Sequence, residues 1–495
     1  MNVLLSLLQK SPDYMQLLQA VEAKQAAAVS GLSQAPRSHV LAALHEHSGR
    51  PLVAVCQDDL AASRLASELG AFLGEQPPVL PSRELTLAGA IGVSRQWEQK
   101  RLRLLYALAQ GQVPVLVTSL DALLLRTMPR EVLFSASVRL RCGAEYNVDD
   151  LVARLTRAGY TRSSLVEGVG QFALRGGILD VYSPACENPL RAEFFGDELD
   201  TMGYFDPITQ RRTENVEEAV LLPVAETEAH LHPQGTAGLC EDLRAIIARQ
   251  QRRKTPNQAL IDTLQKDCEA LENETLFASA DRYMALIYPE FTTAAAYLSQ
   301  EAVVAFCDHG NLQRAEKEKA EEFGLLLDSF LTSGTLFGEL CDYYGSIEDL
   351  AAQLRGRAVV YCDGFLAARY PESLPPKKLL SFTARQLPGY GGSLETAASD
   401  LKNYTANQYG SIVLCGGQRR GEILKDLLAQ NGLNALLAFP LTKLPQPGQI
   451  SPYGPQSQAH RRLPCQLPKG DAPCAAEVQH PLRAAALDPH QHLPL

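Results

Sequence analysis

The stretch from Tyr160 to Glu226 alternates apolar and polar residues in short runs, and glycine, proline, asparagine and aspartate separate those runs. Side chains of a β-strand point alternately to opposite faces, so this pattern is typical of half-buried strands joined by turns. The pattern therefore predicts a small, mostly antiparallel β unit.

One run within this unit places charge and an aromatic side chain on a common face. In PLRAEFFGDE, Ala192 and Phe194 share one face of the predicted strand, while Arg191, Glu193 and Phe195 share the other. The first face has the composition of a core, and the second does not.

A second arginine joins the polar face if the neighbouring runs pair. The run QFALRGGILDVYS places Arg175 on the side opposite to Phe172 and Leu174. Arginine and large aromatic residues are enriched at the centres of protein interfaces. Spacing alone leaves two interpretations open, either a protein-docking surface or an ordinary solvated sheet face with one stray phenylalanine.

Outside the β unit, helical and strand patterns alternate. Helical patterns at 13–28 and 37–47 precede apolar strands at 51–57 and 113–119, and a further apolar strand ends at Asp308. This alternation predicts a parallel α/β sheet covered by helices on both faces, in an order that suits a RecA-like helicase core.

These patterns divide the chain into five segments of an α/β protein. We expect residues 1–130 and 226–375 to be the two halves of a degenerate helicase-like domain, 131–225 to be an inserted β-rich domain, 376–450 to be an incomplete small α/β domain, and 451–495 to be a disordered tail.

The last segment has an unusual composition. From Pro445 onwards the chain has ten of its thirty prolines and four of its ten histidines, and no apolar periodicity continues after about Ile450. Such a segment does not bury enough apolar surface to fold. We hypothesise that the reading frame is truncated or shifted near Ile450, which would leave a non-native tail.

A helicase core binds ATP through the motif GxxxxGK[ST], whose loop cradles phosphate while the lysine meets the terminal phosphates. The corresponding run here, AVSGLSQAPRSHVLAALH, keeps Gly31 but has no GK[ST], and Arg37, Ser38 and His39 stand in that part of the run instead. Pro36 also removes a backbone N–H donor from the loop. We interpret it as a degenerate phosphate loop, although Arg37 offers a charge in place of the lysine.

Composition limits the remaining classes of function. The chain has 495 residues and a net charge of -10, so it has no overall basic footprint for nucleic acid. No run of eighteen uninterrupted apolar residues predicts a membrane span. The eleven cysteines form no CxxC pair and are best explained as reduced thiols of a cytoplasmic protein. We find no metal-ligand motif and no hydrolase motif, so we expect neither a metal site nor an independent catalytic site.

The strings GQFALRGGILDVYSP, LRAEFFGDELDTMGYFDPITQR and LLPVAE closely resemble the second domain of the bacterial transcription-repair coupling factors (Mfd) and of the excinuclease subunit UvrB. The resemblance implies that this module docks onto the damage-recognition ATPase UvrA, and it assigns the contacts to Arg175, Arg191 and Phe195. It also implies a UvrB-like region that lacks its ATP site.

For the whole chain, the resemblance implies a non-catalytic N-terminal module that recruits UvrA to RNA polymerase stalled at DNA damage. In the intact family, further domains bind the polymerase and translocate on double-stranded DNA, and ATP and Mg²⁺ would serve those domains only. The alternatives are an ATP-dependent helicase or translocase with a divergent phosphate loop, or a non-functional truncated product. The missing GK[ST] after Gly31 argues against the first alternative.

Overall fold

The computed structural model describes residues 3–88, 96–273, 277, 279–367, 369–382, 394–415, 418–437, 445–453 and 483–487.

Residues 3–137 alternate helices with the first four strands. The elements are α1 (Val3–Ser6), a 3₁₀ helix (Leu7–Lys10), α2 (Pro12–Glu22), β1 (Ala26–Ser30), α3 (Gln34–Ser48), β2 (Leu52–Cys56), α4 (Asp59–Leu73), β3 (Val79–Leu80), α5 (Gln96–Ala109), β4 (Val115–Ser119), α6 (Leu120–Leu124) and α7 (Arg130–Ala136).

The inserted β unit, residues 138–226, follows. Its elements are β5 (Val138–Arg141), α8 (Val148–Arg157), β6 (Thr161–Arg162), β7 (Gln171–Arg175), β8 (Ile178–Val181), β9 (Leu190–Phe195), β10 (Glu198–Phe205), β11 (Arg212–Asn215) and β12 (Glu218–Leu221).

The chain then returns to alternating helices and strands. The elements are a 3₁₀ helix (Ala229–Leu231), α9 (Gly235–Gln251), α10 (Gln258–Glu272), a 3₁₀ helix (Ala280–Tyr283), α11 (Met284–Ile287), a 3₁₀ helix (Ala294–Tyr297), β13 (Val303–Cys307), α12 (His309–Thr332), a 3₁₀ helix (Gly338–Leu340), α13 (Ile347–Gln353), β14 (Ala358–Cys362) and β15 (Lys378–Ser381).

The main sheet has seven strands in the order β15-β1-β14-β13-β2-β4-β3, and all of these pairings are parallel. Strands β13 and β14 follow the inserted β unit in sequence but lie between β1 and β2, which precede it. The central strands are buried at every position because the sheet has a hydrophobic core on each side. The residues before and after the β unit therefore build one sheet.

The helix predicted over 13–28 is too long. Helix α2 ends at Glu22, Lys24 has a left-handed φ of 51°, and strand β1 begins at Ala26. Alanine favours helices, but the run AAAV is fully buried between β14 and β15. Burial in the sheet overrides the weak helical preference of this short run.

The boundary predicted at residue 376 is also displaced. The prediction assigns residues 376–450 to the small C-terminal unit, but β15 within this range pairs with β1 at the edge of the main sheet, with Ala28 opposite Leu379. A short apolar run carries no information about which sheet it joins, because periodicity identifies a strand and not its partner.

The inserted β unit consists of a six-stranded sheet in the order β11-β10-β9-β8-β7-β6 and a pair formed by β5 and β12. Its pairings are antiparallel except for that of β6 with β7, which agrees with the predicted mostly antiparallel unit. Because β5 enters the unit and β12 leaves it, their pairing places both connections to the main sheet side by side.

A small α/β unit forms the C-terminal part, with α14 (Leu394–Ala406), β16 (Gly410–Leu414), α15 (Gln418–Gln430), β17 (Ile450–Tyr453) and β18 (Arg483–Leu487). Strand β16 pairs in parallel with β17 and antiparallel with β18. Residues 454–482 and 488–495, most of the tail that we expect to be disordered, lie outside the described residues.

Candidate functional site

One face of the six-stranded sheet carries the residues singled out by the sequence. The pairing of β7, β8 and β9 brings them together, because β8 lies between the other two strands. We call this surface the polar face, and its members are Arg175, Ile178, Asp180, Arg191, Glu193 and Phe195.

The two faces of β9 differ as the alternation predicts. Ala192 is fully buried, and Phe194 packs against the core of the β unit. Arg191, Glu193 and Phe195 lie on the opposite side and are at least partly exposed.

A two-residue turn brings Arg175 to the edge of the polar face. Arg175 pairs with Ile178 across the hairpin, so Gly176 and Gly177 form the turn. Gly176 has a φ of 59°, a conformation that favours glycine. A Cβ atom on Gly177 would lie 2.6 Å from the carbonyl oxygen of Phe194. The backbone geometry therefore accounts for both glycines.

The carboxylate of Asp180, whose side chain is 0% exposed, joins the two arginines. Arg175 donates from Nη2 to Oδ2 at 2.5 Å, and Arg191 donates from Nε to Oδ1 at 2.7 Å and from Nη2 to Oδ2 at 2.9 Å. Sequence reasoning overlooked Asp180. The signal was present in ILDV, where Asp180 and Ile178 alternate with the buried Leu179.

Arg191 is closely packed on this face. Its Cζ atom lies 4.5 Å from the centre of the Phe205 ring, and it donates to the backbone oxygen and to Oε1 of Gln210, both at 3.4 Å. The hydrogen bond with Asp180 raises the pKa of Arg191. Its side chain is only 20% exposed, so Arg191 is largely committed to contacts within the β unit.

Arg175 and Phe195 are far more open. The Arg175 side chain is 48% exposed, and among the described residues only one of its five N–H donors has a partner. Phe195 is 85% exposed, and Ile178 is 38% exposed. A half-exposed guanidinium beside a large apolar side chain can bind a carboxylate while the aromatic ring fills an apolar pocket.

The second predicted site, the degenerate phosphate loop, follows β1. The N–H of Gly31 donates to the carbonyl oxygen of Gly364 at 3.0 Å, and the N–H of Leu32 donates to that of Asp363 at 3.1 Å. Gly31 has a φ of 83°, and a Cβ atom there would overlap the carbonyl oxygen of Phe382. Two N–H groups that would face a phosphate are thus bonded to the backbone that follows β14.

Ser38 and His39 are turned into the interior. The hydroxyl of Ser38 donates to Glu68, and Nε2 of His39 donates to the carbonyl oxygen of Leu4 at 2.8 Å. The His39 ring stacks on Phe72 with centroids 5.1 Å apart. Burial lowers the pKa of His39 to about 4, so the imidazole is neutral at neutral pH. Neither side chain points at the loop opening.

Arg37 folds back on its own loop. Its Nη2 atom donates to the carbonyl oxygen of Leu32 at 3.2 Å, and the carboxylate of Asp308 is within electrostatic range of the guanidinium. In this arrangement Arg37 closes the loop internally, where a lysine of the motif would extend towards phosphate.

Among the residues that the structure describes, no group of three or more histidine, cysteine, aspartate or glutamate side chains is arranged to hold a metal ion. Over the same ranges, no helix combines the length and the apolarity needed to cross a bilayer.

Comparison with known proteins places the polar face within a recognised domain. The family model of the UvrB interaction domain matches residues 138–226. A transcription-repair-coupling factor of Myxococcus xanthus is 38% identical over 221 residues, which are 43% of this chain and 18% of that protein. That of Bacillus subtilis (strain 168) is 22% identical over 94% of this chain, and the match covers 39% of its length. That of Staphylococcus aureus (strain USA300) is 25% identical over 87% of this chain, and the match covers 36% of its length.

These matches confirm the resemblance. The chain carries a UvrB interaction domain and is similar to transcription-repair-coupling factors over most of its length. It spans less than two fifths of the length of each of these relatives.

Proposed function

We propose that this chain docks onto UvrA through Arg175, Arg191 and Phe195, and so brings excision repair to RNA polymerase stalled at DNA damage. The observation that carries this proposal is the 85% exposure of Phe195 on the same face as the half-exposed Arg175, within a UvrB interaction domain. The matching surface on UvrA would offer a carboxylate next to an apolar pocket.

The proposed role of this chain is recruitment in the cytoplasm without catalysis. Contacts with RNA polymerase and double-stranded DNA, and the use of ATP and Mg²⁺, would belong to other parts of the coupling factors that the chain resembles. The loop at Gly31 supports this view, because its N–H group and that of Leu32 already bond to carbonyl oxygens of the chain. We expect no heat of binding when Mg·ATP is titrated into the chain, and saturable binding would contradict this part of the proposal.

Titration of UvrA into the full chain by calorimetry tests the docking. Phe195→Ala should weaken binding about thirtyfold, which corresponds to about 2 kcal/mol for the loss of an interface anchor. Arg191→Ala should weaken binding to a similar extent, because this change leaves Asp180 and Arg175 without their support. Arg157→Ala is the matched control, because this exposed arginine lies on α8, whose Leu151 and Leu155 pack into the core on the other side of the sheet. Its binding should equal that of the unchanged chain.

Circular dichroism on the same samples separates loss of binding from loss of fold. A folded chain that does not bind UvrA would overturn the proposal. Binding that Arg157→Ala weakens as much as Phe195→Ala would place the contact on another surface.

A further inference from the structure

Asp180 lies between the two arginines of the polar face and bonds to both. It lies on β8, directly opposite Ala173 of β7 and Arg191 of β9, so it stands between the two strands that carry the arginines. Its side chain is completely buried and accepts three hydrogen bonds, all from Arg175 and Arg191. A buried carboxylate requires such partners, because an unpaired charge in the interior is strongly destabilising.

The two arginines share this carboxylate unequally. Arg191 approaches it side-on with two donors, stacks on Phe205 and also bonds to Gln210, which leaves little of its guanidinium for a partner. Arg175 gives one Nη2 donor to Asp180 and keeps its other donors free among the described residues. A long, half-exposed side chain otherwise samples many rotamers, and ordering it on binding costs conformational entropy.

We propose that Asp180 is the positioning residue of the polar face. It fixes Arg191 as a support and holds Arg175 in the orientation in which its free donors meet a carboxylate of the partner, with Ile178 and Phe195 providing the apolar contact beside it. This inference rests on the proposed docking onto UvrA. It assigns the direct ionic contact to Arg175 and gives Arg191 an indirect role through Asp180.

Asp180→Asn and Glu193→Gln provide a matched test. Each change removes one negative charge from the same face while keeping the size of the side chain. Glu193 is partly exposed and its side-chain contacts are long, an ion pair with Arg212 at 3.6 Å and a hydrogen bond accepted from the Thr201 hydroxyl at 3.5 Å. If only net charge mattered, both changes would strengthen binding to an acidic surface of UvrA. If Asp180 positions the arginines, Asp180→Asn weakens binding about tenfold, whereas Glu193→Gln, which only removes a negative charge from the docking face, makes binding slightly tighter.

A double-mutant cycle distinguishes positioning from a general structural role. In an Arg175→Ala background, Asp180→Asn should weaken UvrA binding less than twofold, because its effect passes through the missing guanidinium. An equal loss in both backgrounds would overturn the inference. So would an Asp180→Asn chain that binds as tightly as the unchanged one.

Arg175→Lys extends the test if Asp180→Asn fails to fold. This change leaves the Asp180–Arg191 pair intact and keeps the charge, but a lysine ammonium lacks the planar fork that bonds to Asp180 and to a partner carboxylate together. We expect about tenfold weaker binding, and unchanged affinity would overturn the inference. If the unchanged chain does not bind UvrA at all, the proposed function itself fails, and the two failures are thereby distinguished.

Discussion

The Nε atom of Arg101 and the Oε1 atom of Glu226 lie 2.8 Å apart, and both side chains are fully buried. Glu226 ends the inserted β unit, whereas Arg101 belongs to α5 beside the main sheet. The hydroxyl of Thr127 also donates to Glu226, and Arg83 pairs with Asp281 next to them. This buried network of ions joins the exit of the β unit to the residues on either side of it.

We therefore predict that Glu226→Gln strongly destabilises the chain. The substitution keeps the shape of the side chain but leaves the buried Arg101 without a counter-charge, which typically costs about 3–5 kcal/mol. Urea unfolding followed by circular dichroism measures the free energy of unfolding. Glu301→Gln is the control, because Glu301 is 56% exposed and solvent screens its pairs with Lys24 and Arg50, so that they contribute little to stability. Equal effects of the two substitutions would contradict the prediction.

Gly31 is expected to matter for packing, because its backbone lies directly against that of Phe382. Gly31→Ala would place a methyl group against the backbone of Phe382 and force a left-handed φ on alanine, so we expect a loss of about 2 kcal/mol or more. Gly49 also has a positive φ of 64°, but a Cβ atom there would meet nothing within 4 Å. Gly49→Ala should therefore cost only about 1 kcal/mol. Comparison of their urea midpoints checks this, and equal losses would show that φ alone is responsible.

The sequence was most informative where one physical rule decides the outcome. The period of two along β9 identified Phe194 as a core residue and Phe195 as an exposed one, because one face of that sheet is buried and the other is open. The helix predicted over 13–28 failed where burial in the main sheet outweighed the preference of alanine for helices.

Relationships between distant residues were beyond sequence reasoning. The contact of Arg83 with Asp281 joins residues that are 198 positions apart, and no local pattern marks either of them as buried. Asp180 was overlooked for a related reason. Its role as the shared partner of Arg175 and Arg191 can be deduced only when β8 is known to lie between β7 and β9.

The docking of UvrA should depend on salt through Arg175. Its guanidinium is half-exposed, so ions in solution screen its attraction to a partner carboxylate, with a Debye length of about 10 Å at 0.1 M salt and about 3 Å at 1 M. We expect affinity to fall several-fold as sodium chloride rises from about 0.05 to 0.5 M. Arg175→Ala should flatten this dependence, whereas Phe195→Ala should lower affinity at every salt concentration and keep the slope. A slope that Arg175→Ala leaves unchanged would assign the electrostatic contact to other residues.

We predict that His309 makes the stability of the chain depend on pH. It begins α12, is fully buried, and stacks on Tyr370 with centroids 5.4 Å apart, and neither ring nitrogen has a hydrogen-bond partner among the described residues. Burial lowers the pKa of His309 to about 4 from an ordinary value of 6.5. Between these two pKa values the unfolded chain binds a proton at this position and the folded chain does not. The free energy of unfolding therefore decreases as pH falls from about 6.5 towards 4.

His309→Phe removes both the unpaired nitrogens and the titration while keeping an aromatic ring. Near pH 7.5 the variant should be as stable as the unchanged chain or more stable by about 1 kcal/mol, because two buried polar atoms without partners are lost. At pH 5 its advantage should be larger by about 2 kcal/mol, the linkage expected for a histidine pKa that falls from 6.5 to about 4. Urea unfolding of both chains at the two pH values measures the difference, in which the acid sensitivity of His39, present in both, cancels. An advantage of the same size at pH 5 and pH 7.5 would mean that His309 takes up a proton in the folded chain as readily as in the unfolded one.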